Sequence, residues 1–99
     1  MNAPKIEAVA AKDDALAALR RGDIAAALAA AERAVATDVT YPEGWAARGT
    51  VKLVSGDAAG AEPDLARAVE LKPLLAEAHL NRAMALTGLG RLDSAEEAL

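Results

Sequence analysis

Few side chains in this sequence could carry chemistry: a single histidine, His79, no cysteine, and 15 carboxylates set against 11 lysines and arginines. A metal site built on His79 would need carboxylates beside it, yet Glu77, two residues away, projects from a different part of a helix surface. A packed position between helices is the expectation for its imidazole. Asp13-Asp14 and Glu96-Glu97 are adjacent pairs, and neighbours on a helix diverge by roughly 100° per residue, so neither presents the facing carboxyls that acid–base catalysis requires. Both read as solvated charge. Gly88-Leu89-Gly90 has the outline of a phosphate-binding fragment, but no strand precedes it and no Gly-Lys-Ser/Thr follows. The sequence therefore offers no catalytic residue, no metal site and no cofactor site, and a non-enzymatic protein is expected.

The bulk properties narrow the partners. A formal net charge of −4 gives a phosphate backbone no attraction, and Arg20-Arg21 is not extended by further basic residues into a stripe, so nucleic acid is not an expected partner. No segment approaches the roughly 20 consecutive apolar residues of a spanning helix; the alanine-rich stretch from Ile24 ends at Glu32 and Arg33. A membrane is not expected either. The first residues, Met1 to Glu7, lack the apolar core of a signal peptide, and the absence of cysteine suits a reducing compartment, so a cytoplasmic location is expected. A length of 99 residues is room for one domain, and 54% hydrophobic with 26% charged is a globular balance. Much of the apolar total is alanine, while Trp45 and Tyr41 are the only aromatics, which points to an all-α fold.

The elements repeat. Gly22, Gly56 and Gly90 are spaced by 34 residues, Ala27, Ala61 and Ala95 follow each of them at the same offset, and Ala34 and Ala68 keep the same register. Each glycine closes a helix in the left-handed conformation, and Asp23 or Asp57 caps the next, so each repeat is a helical hairpin. Trp45, Gly49 and Leu53, spaced by four, mark one helix face; Thr40-Tyr41-Pro42-Glu43 opens that helix with the spacing of a capping box. Leu65, Ala68, Val69 and Leu71 face inward on the following helix, which Pro73 ends. The pattern predicts helices near residues 4–20, 24–37, 42–54, 58–71, 75–87 and 92–99. Trp45 is expected to be the largest single core residue. Pro63 falls inside the fourth helix, where a proline removes a hydrogen bond, so that helix either kinks or starts late.

The segment from Pro42 to Leu75, with Trp45, Gly49, Gly56-Asp57, Ala61, Leu65, Ala68 and Pro73, resembles a tetratricopeptide repeat in period and signature. The unit from Ala76 resembles it through His79, Asn81-Arg82, Leu86, Gly90, Leu92, Ala95 and Leu99. The first unit is weaker, with Ala11 where the family favours an aromatic and Val39 where it favours a closing proline. The resemblance implies a right-handed α-solenoid of antiparallel helix pairs, a single array over 1–99 with units at about 8–41, 42–75 and 76–99. The last unit is expected to be truncated and its C-terminal helix uncapped, a surface for fraying or self-association.

It also implies a non-catalytic interaction scaffold that holds a partner protein or peptide segment on the concave face lined by the first helix of each pair. The family's inward positions fall here on Val9, Lys12, Leu16 and Leu19, on Glu43, Ala46, Thr50 and Leu53, and on Glu77, Leu80, Asn81 and Met84. Lys12, Leu16, Glu43, Thr50, Glu77, Leu80, Asn81 and Met84 are the candidate contacts. Glu43 and Glu77 recur one repeat apart at the edge of this groove, so the expected partner is cationic with apolar anchors, Met84 adapting to an anchor and Asn81 bonding its backbone. A subclass of the family grips chaperone carboxylates with a clamp of lysines, asparagines and an arginine. Of that set this sequence keeps only Lys12, with Leu16, Ala47, Glu77 and Asn81 at other clamp positions, which disfavours such a ligand. The alternative reading is the N-terminal appendage of a bacterial-type glycosyl-, methyl- or sulfotransferase.

Overall fold

Two left-handed glycines turn the chain back on itself. Gly22 and Gly56 have φ of 80° and 92°, and the residues around them close the same pair of bonds: Gly22 N–H to the Leu19 carbonyl at 3.0 Å and Asp23 N–H to Ala18 at 2.9 Å, then Gly56 to Leu53 at 3.1 Å and Asp57 to Lys52 at 2.8 Å. This is the Schellman closure, which satisfies the last carbonyls of the helix. The aspartate that follows starts the next helix by accepting from its first-turn amides, Asp23 from Ala26 N–H at 3.1 Å and Asp57 from Gly60 N–H at 2.8 Å.

The computed structural model describes residues 3–89. They form α1 (Ile6–Arg20), α2 (Ile24–Thr37), α3 (Pro42–Val54), α4 (Ala58–Leu71) and α5 (Ala76–Gly88), with no strand among the described residues. The architecture is an all-α helical repeat, and the five helices fall where the 34-residue pattern predicts them. The helix expected at 92–99, the truncated edge of the last unit and any self-association through it lie outside the described residues. Consecutive helices pack pairwise, and α3 also touches both α1 and α5. The array is 17 Å along its thinnest axis, two helices deep.

The links between hairpins depart from expectation. Thr40 forms no capping box. Its hydroxyl donates to Asp38 Oδ1 at 2.7 Å, and the N-cap of α3 is Tyr41, with no side-chain cap bond. Asp38 competes successfully because it lies within the same tight turn, where it also accepts from the backbone of Thr40 and, across the array, of Lys5. The expected burial between helices is met in part for Trp45, which packs half-buried against Ala46, Ala68 and Ala78, and not for His79, which is exposed. Among the described residues the largest fully buried side chains are Leu65 and Val51. Each ring also holds the preceding link. Trp45 Nε1–H donates to the Val39 carbonyl at 2.9 Å, and His79 Nε2 meets the Pro73 carbonyl at 2.7 Å. A carbonyl only accepts, so His79 Nε2 carries the proton. The two bonds occupy equivalent positions one repeat apart. The indole thus packs its body against the helices while its N–H reaches the link, so its amphipathic shape is used at both ends.

The core is built mainly of alanine. Ala15, Ala18, Ala27, Ala30 and Ala31 pack with Val51; Ala46, Ala68 and Ala78 form a second cluster, and Ala61, Leu65 and Ala85 a third. Gly49 permits the closest approach. A Cβ placed there would lie 2.7 Å from Leu65 Cγ and 3.2 Å from the Ala61 carbonyl oxygen, so α3 and α4 touch backbone to side chain.

Pro63 neither ends nor delays its helix. The α4 helix is continuous from Ala58, with Pro63 as its sixth residue. The hydrogen bond it forgoes falls on the Ala59 carbonyl, and both residues are exposed, so water takes the place of the missing donor. Pro63→Ala should therefore raise stability by about 2 kcal/mol, the interior proline cost less the entropy that proline removes from the unfolded chain. Gly49→Ala should do the reverse. Its helix-propensity gain of about 1 kcal/mol is outweighed by overpacking against fully buried Leu65, which costs about 1–3 kcal/mol. Urea denaturation of the two variants checks both signs; a stabilised Gly49→Ala would mean that Leu65 yields freely.

Candidate functional site

The first helices of the hairpins, α1, α3 and α5, lie side by side and form one face. Between them is a depression of about 70 Å³ lined by Lys12, Leu16, Glu43, Ala46, Ala47, Leu75 and Glu77. Four of the eight expected contact residues, Lys12, Leu16, Glu43 and Glu77, thus converge on one site from three helices. Its floor is apolar because Ala46 and Ala47 are buried at adjacent positions of α3, while Leu16 and Leu75 close the sides half-buried.

The charges at its rim are partly met within the protein. Lys12 Nζ lies 2.8 Å from Asp13 Oδ1. That hydrogen bond, chiefly, raises the lysine pKa above its ordinary value, against the opposing effect of partial burial. The Tyr41 phenol lies against the same ammonium, and burial pushes its own pKa up. Glu43 pairs with Lys72 at 3.4 Å, the lysine half-exposed and the glutamate 35% exposed, so water weakens the pair. Glu77 has no ion-pair partner among the described residues.

The remaining expected contacts are placed differently. Asn81 Nδ2 donates to Thr50 Oγ1 at 2.9 Å, joining α5 to α3. The asparagine amide expected to bond a partner is therefore engaged with its neighbour, and its carbonyl oxygen and the Thr50 hydroxyl proton are not used in that bond. Leu80 and Met84 are 63% and 52% exposed. Met84 lines a separate shallow hollow with Ala83, Thr87 and Gly88, so it does not share the depression with Lys12. Among the described residues no group of three or more His, Cys, Asp or Glu is placed to hold a metal ion, and no helix is long and apolar enough to cross a membrane.

Two features of the site were not read from the sequence. Leu75 enters it from the link before α5, a position that no helical period marks. The second is the ionic cluster that holds α3 in place. Arg48 grips Asp64 with two bonds, Nε to Oδ2 at 3.0 Å and Nη2 to Oδ1 at 2.8 Å, and Lys52 Nζ adds a contact at 3.0 Å. Asp64 is the one buried charged residue among those described, 4% exposed. Its hydrogen bonds raise the Arg48 pKa, against burial, and the guanidinium sits 5.0 Å from the Trp45 ring centroid, a cation–π contact. One repeat later Arg82 reaches back to Glu62 at 3.1 Å, so α4 is tied to both neighbouring first helices. The spacing of Arg48 from Arg82, and of Lys52 one turn beyond Arg48, was the signal available.

Known proteins share this arrangement of helices. A family model described as "Tetratricopeptide repeat" matches residues 13–49 and 46–99. Among solved structures, the second TPR of Spaghetti (RPAP3), bound to the HSP90 peptide SRMEEVD, superposes with a TM-score of 0.87 at 26% identity over 93% of this chain and 85% of that one. The first TPR of Spaghetti (RPAP3), bound to the same peptide, gives 0.85 at 22% identity over 92% of this chain and 74% of the other, which speaks for the fold alone. No curated protein sequence matches.

The ionic cluster yields a stability prediction. Asp64→Ala strands Arg48 and Lys52, whose side chains are each 22% exposed and so regain some hydration. The expected cost is about 3 kcal/mol, the low end for breaking a buried pair. Asp64→Asn, which keeps one acceptor, should cost less. Equal urea midpoints for the Ala variant and the parent would remove the cluster from the energetics of the array.

Proposed function

Because the chain belongs to the tetratricopeptide repeat family, we propose that it is a non-catalytic protein–protein interaction scaffold whose α1, α3 and α5 face holds a peptide segment of a partner. The observation that carries this reading is the convergence of Lys12, Leu16, Glu43 and Glu77 on a single depression, beside Leu80 and Met84 left open to solvent. Exposed apolar groups on a concave face are what a binding groove presents before its ligand arrives. The peptide bound to the second TPR of Spaghetti supports the same use of the fold.

The chemistry of the partner segment differs from that peptide. SRMEEVD carries three acidic side chains, whereas the groove here offers Glu43 and Glu77 at its rim and a Lys12 already engaged by Asp13. An acidic tail would meet like charge. The proposed ligand is a cationic segment with apolar anchors that rest on Leu16, Leu80 and Met84, with the Asn81–Thr50 pair facing its backbone. A cytoplasmic setting is part of this proposal.

Reversing both rim charges, Glu43→Lys with Glu77→Lys, should weaken the partner by a few kcal/mol or less, since rim charges act mainly on association. Added salt should weaken the parent complex in the same direction. Both substitutions are at solvent-accessible positions, so helical circular dichroism should be unchanged. The check is affinity capture with peptide-level mapping of the partner, then titration of parent and reversed variant. Equal affinity would move the interface away from this groove.

A further inference from the structure

Resting on the groove reading above, we infer that the depression between α1, α3 and α5 is a socket for a lysine side chain of the partner, read by its charge, and that acetylation of this lysine releases it. The lining selects the stem: the methyl groups of Ala46 and Ala47 form the floor of this depression of about 70 Å³, and Leu16 and Leu75 form walls along which methylenes lie while the head stays at the rim.

Charge selects the head. Five ionised groups stand at or next to the depression: Asp13, Glu43 and Glu77 against Lys12 and Lys72. Among the described residues one negative charge is uncompensated. It falls on Glu77, because Asp13 holds Lys12 and Lys72 holds Glu43. The protein itself shows what the rim accepts, for the Lys72 ammonium already sits 3.4 Å from the Glu43 carboxylate, half-exposed and at the outer side of the site. An incoming ammonium supplies the missing charge at Glu77 and has Glu43 on its other flank. A compact point charge suits two carboxylates from separate helices, where a planar guanidinium would demand one flat, bidentate partner. Acetylation removes the charge and adds bulk to the head.

The test uses the ¹⁵N-labelled 99-residue chain and two pools of short synthetic peptides. Both pools have identically randomised flanks; the central residue is lysine in one and Nε-acetyl-lysine in the other. The lysine pool should shift the amides of Ala46, Ala47 and Glu77 and bind about tenfold more tightly than the acetylated pool, a difference of one order in Kd. Glu43→Gln with Glu77→Gln should abolish that difference while leaving the helical circular dichroism unchanged. If the two pools shift these amides with equal affinity, or the difference survives in the double variant, the socket is overturned while the groove reading stands. Shifts confined to other surfaces, or none, would overturn both.

Discussion

The structure depends on how closely helices approach where no side chain intervenes. At Gly49 the missing Cβ lets Leu65 seat against the α3 backbone, and along the rest of the array alanines take the same part in smaller steps. Close approach sets the position of α3 between α1 and α5, and so brings side chains from three separate helices to one depression. A larger residue at any of these contacts would widen the spacing and separate Lys12, Glu43 and Glu77.

Most of the framework was legible because it is written in backbone chemistry that recurs. Gly22 and Gly56 require positive φ, and Asp23 and Asp57 meet first-turn amides, so a 34-residue spacing located each hairpin directly. The link before α3 was less legible because two side chains compete there for the same groups. Thr40 had the spacing of a cap, but Asp38, two residues earlier, captured its hydroxyl and amide. Hydrogen bonds from the Thr40 hydroxyl first, and then from the Lys5 and Thr40 amides, hold the Asp38 carboxyl below its ordinary pKa. Burial was misread for His79 and overestimated for Trp45, since equivalent position in a repeat specifies where a ring begins and not how deep it lies.

The candidate site was half legible for a related reason. A period of 34 identifies residues that share a helix face, and four of the eight contacts did share the depression. The period says nothing about what each side chain does across the gap between helices. Asn81 turned to Thr50 and Met84 to another hollow, while Leu75 arrived from a link. Pairwise chemistry between non-equivalent positions, such as Arg48 with Asp64, is not specified by a repeat alignment, which marks the recurring cation but not the carboxylate it meets. Yet that pair holds the helix on which the middle of the site is built.

A core lined so largely by methyl groups has a thermal consequence. The heat-capacity increment of unfolding follows the apolar surface newly exposed to water, and an alanine contributes little of it compared with leucine or phenylalanine. This chain contains no phenylalanine, and among the described residues only Leu65 and Val51 are large and fully enclosed. Its free energy of folding therefore bends gently with temperature. A small curvature moves the temperature of maximum stability, and cold denaturation with it, downwards, and leaves a stability that declines steadily on warming.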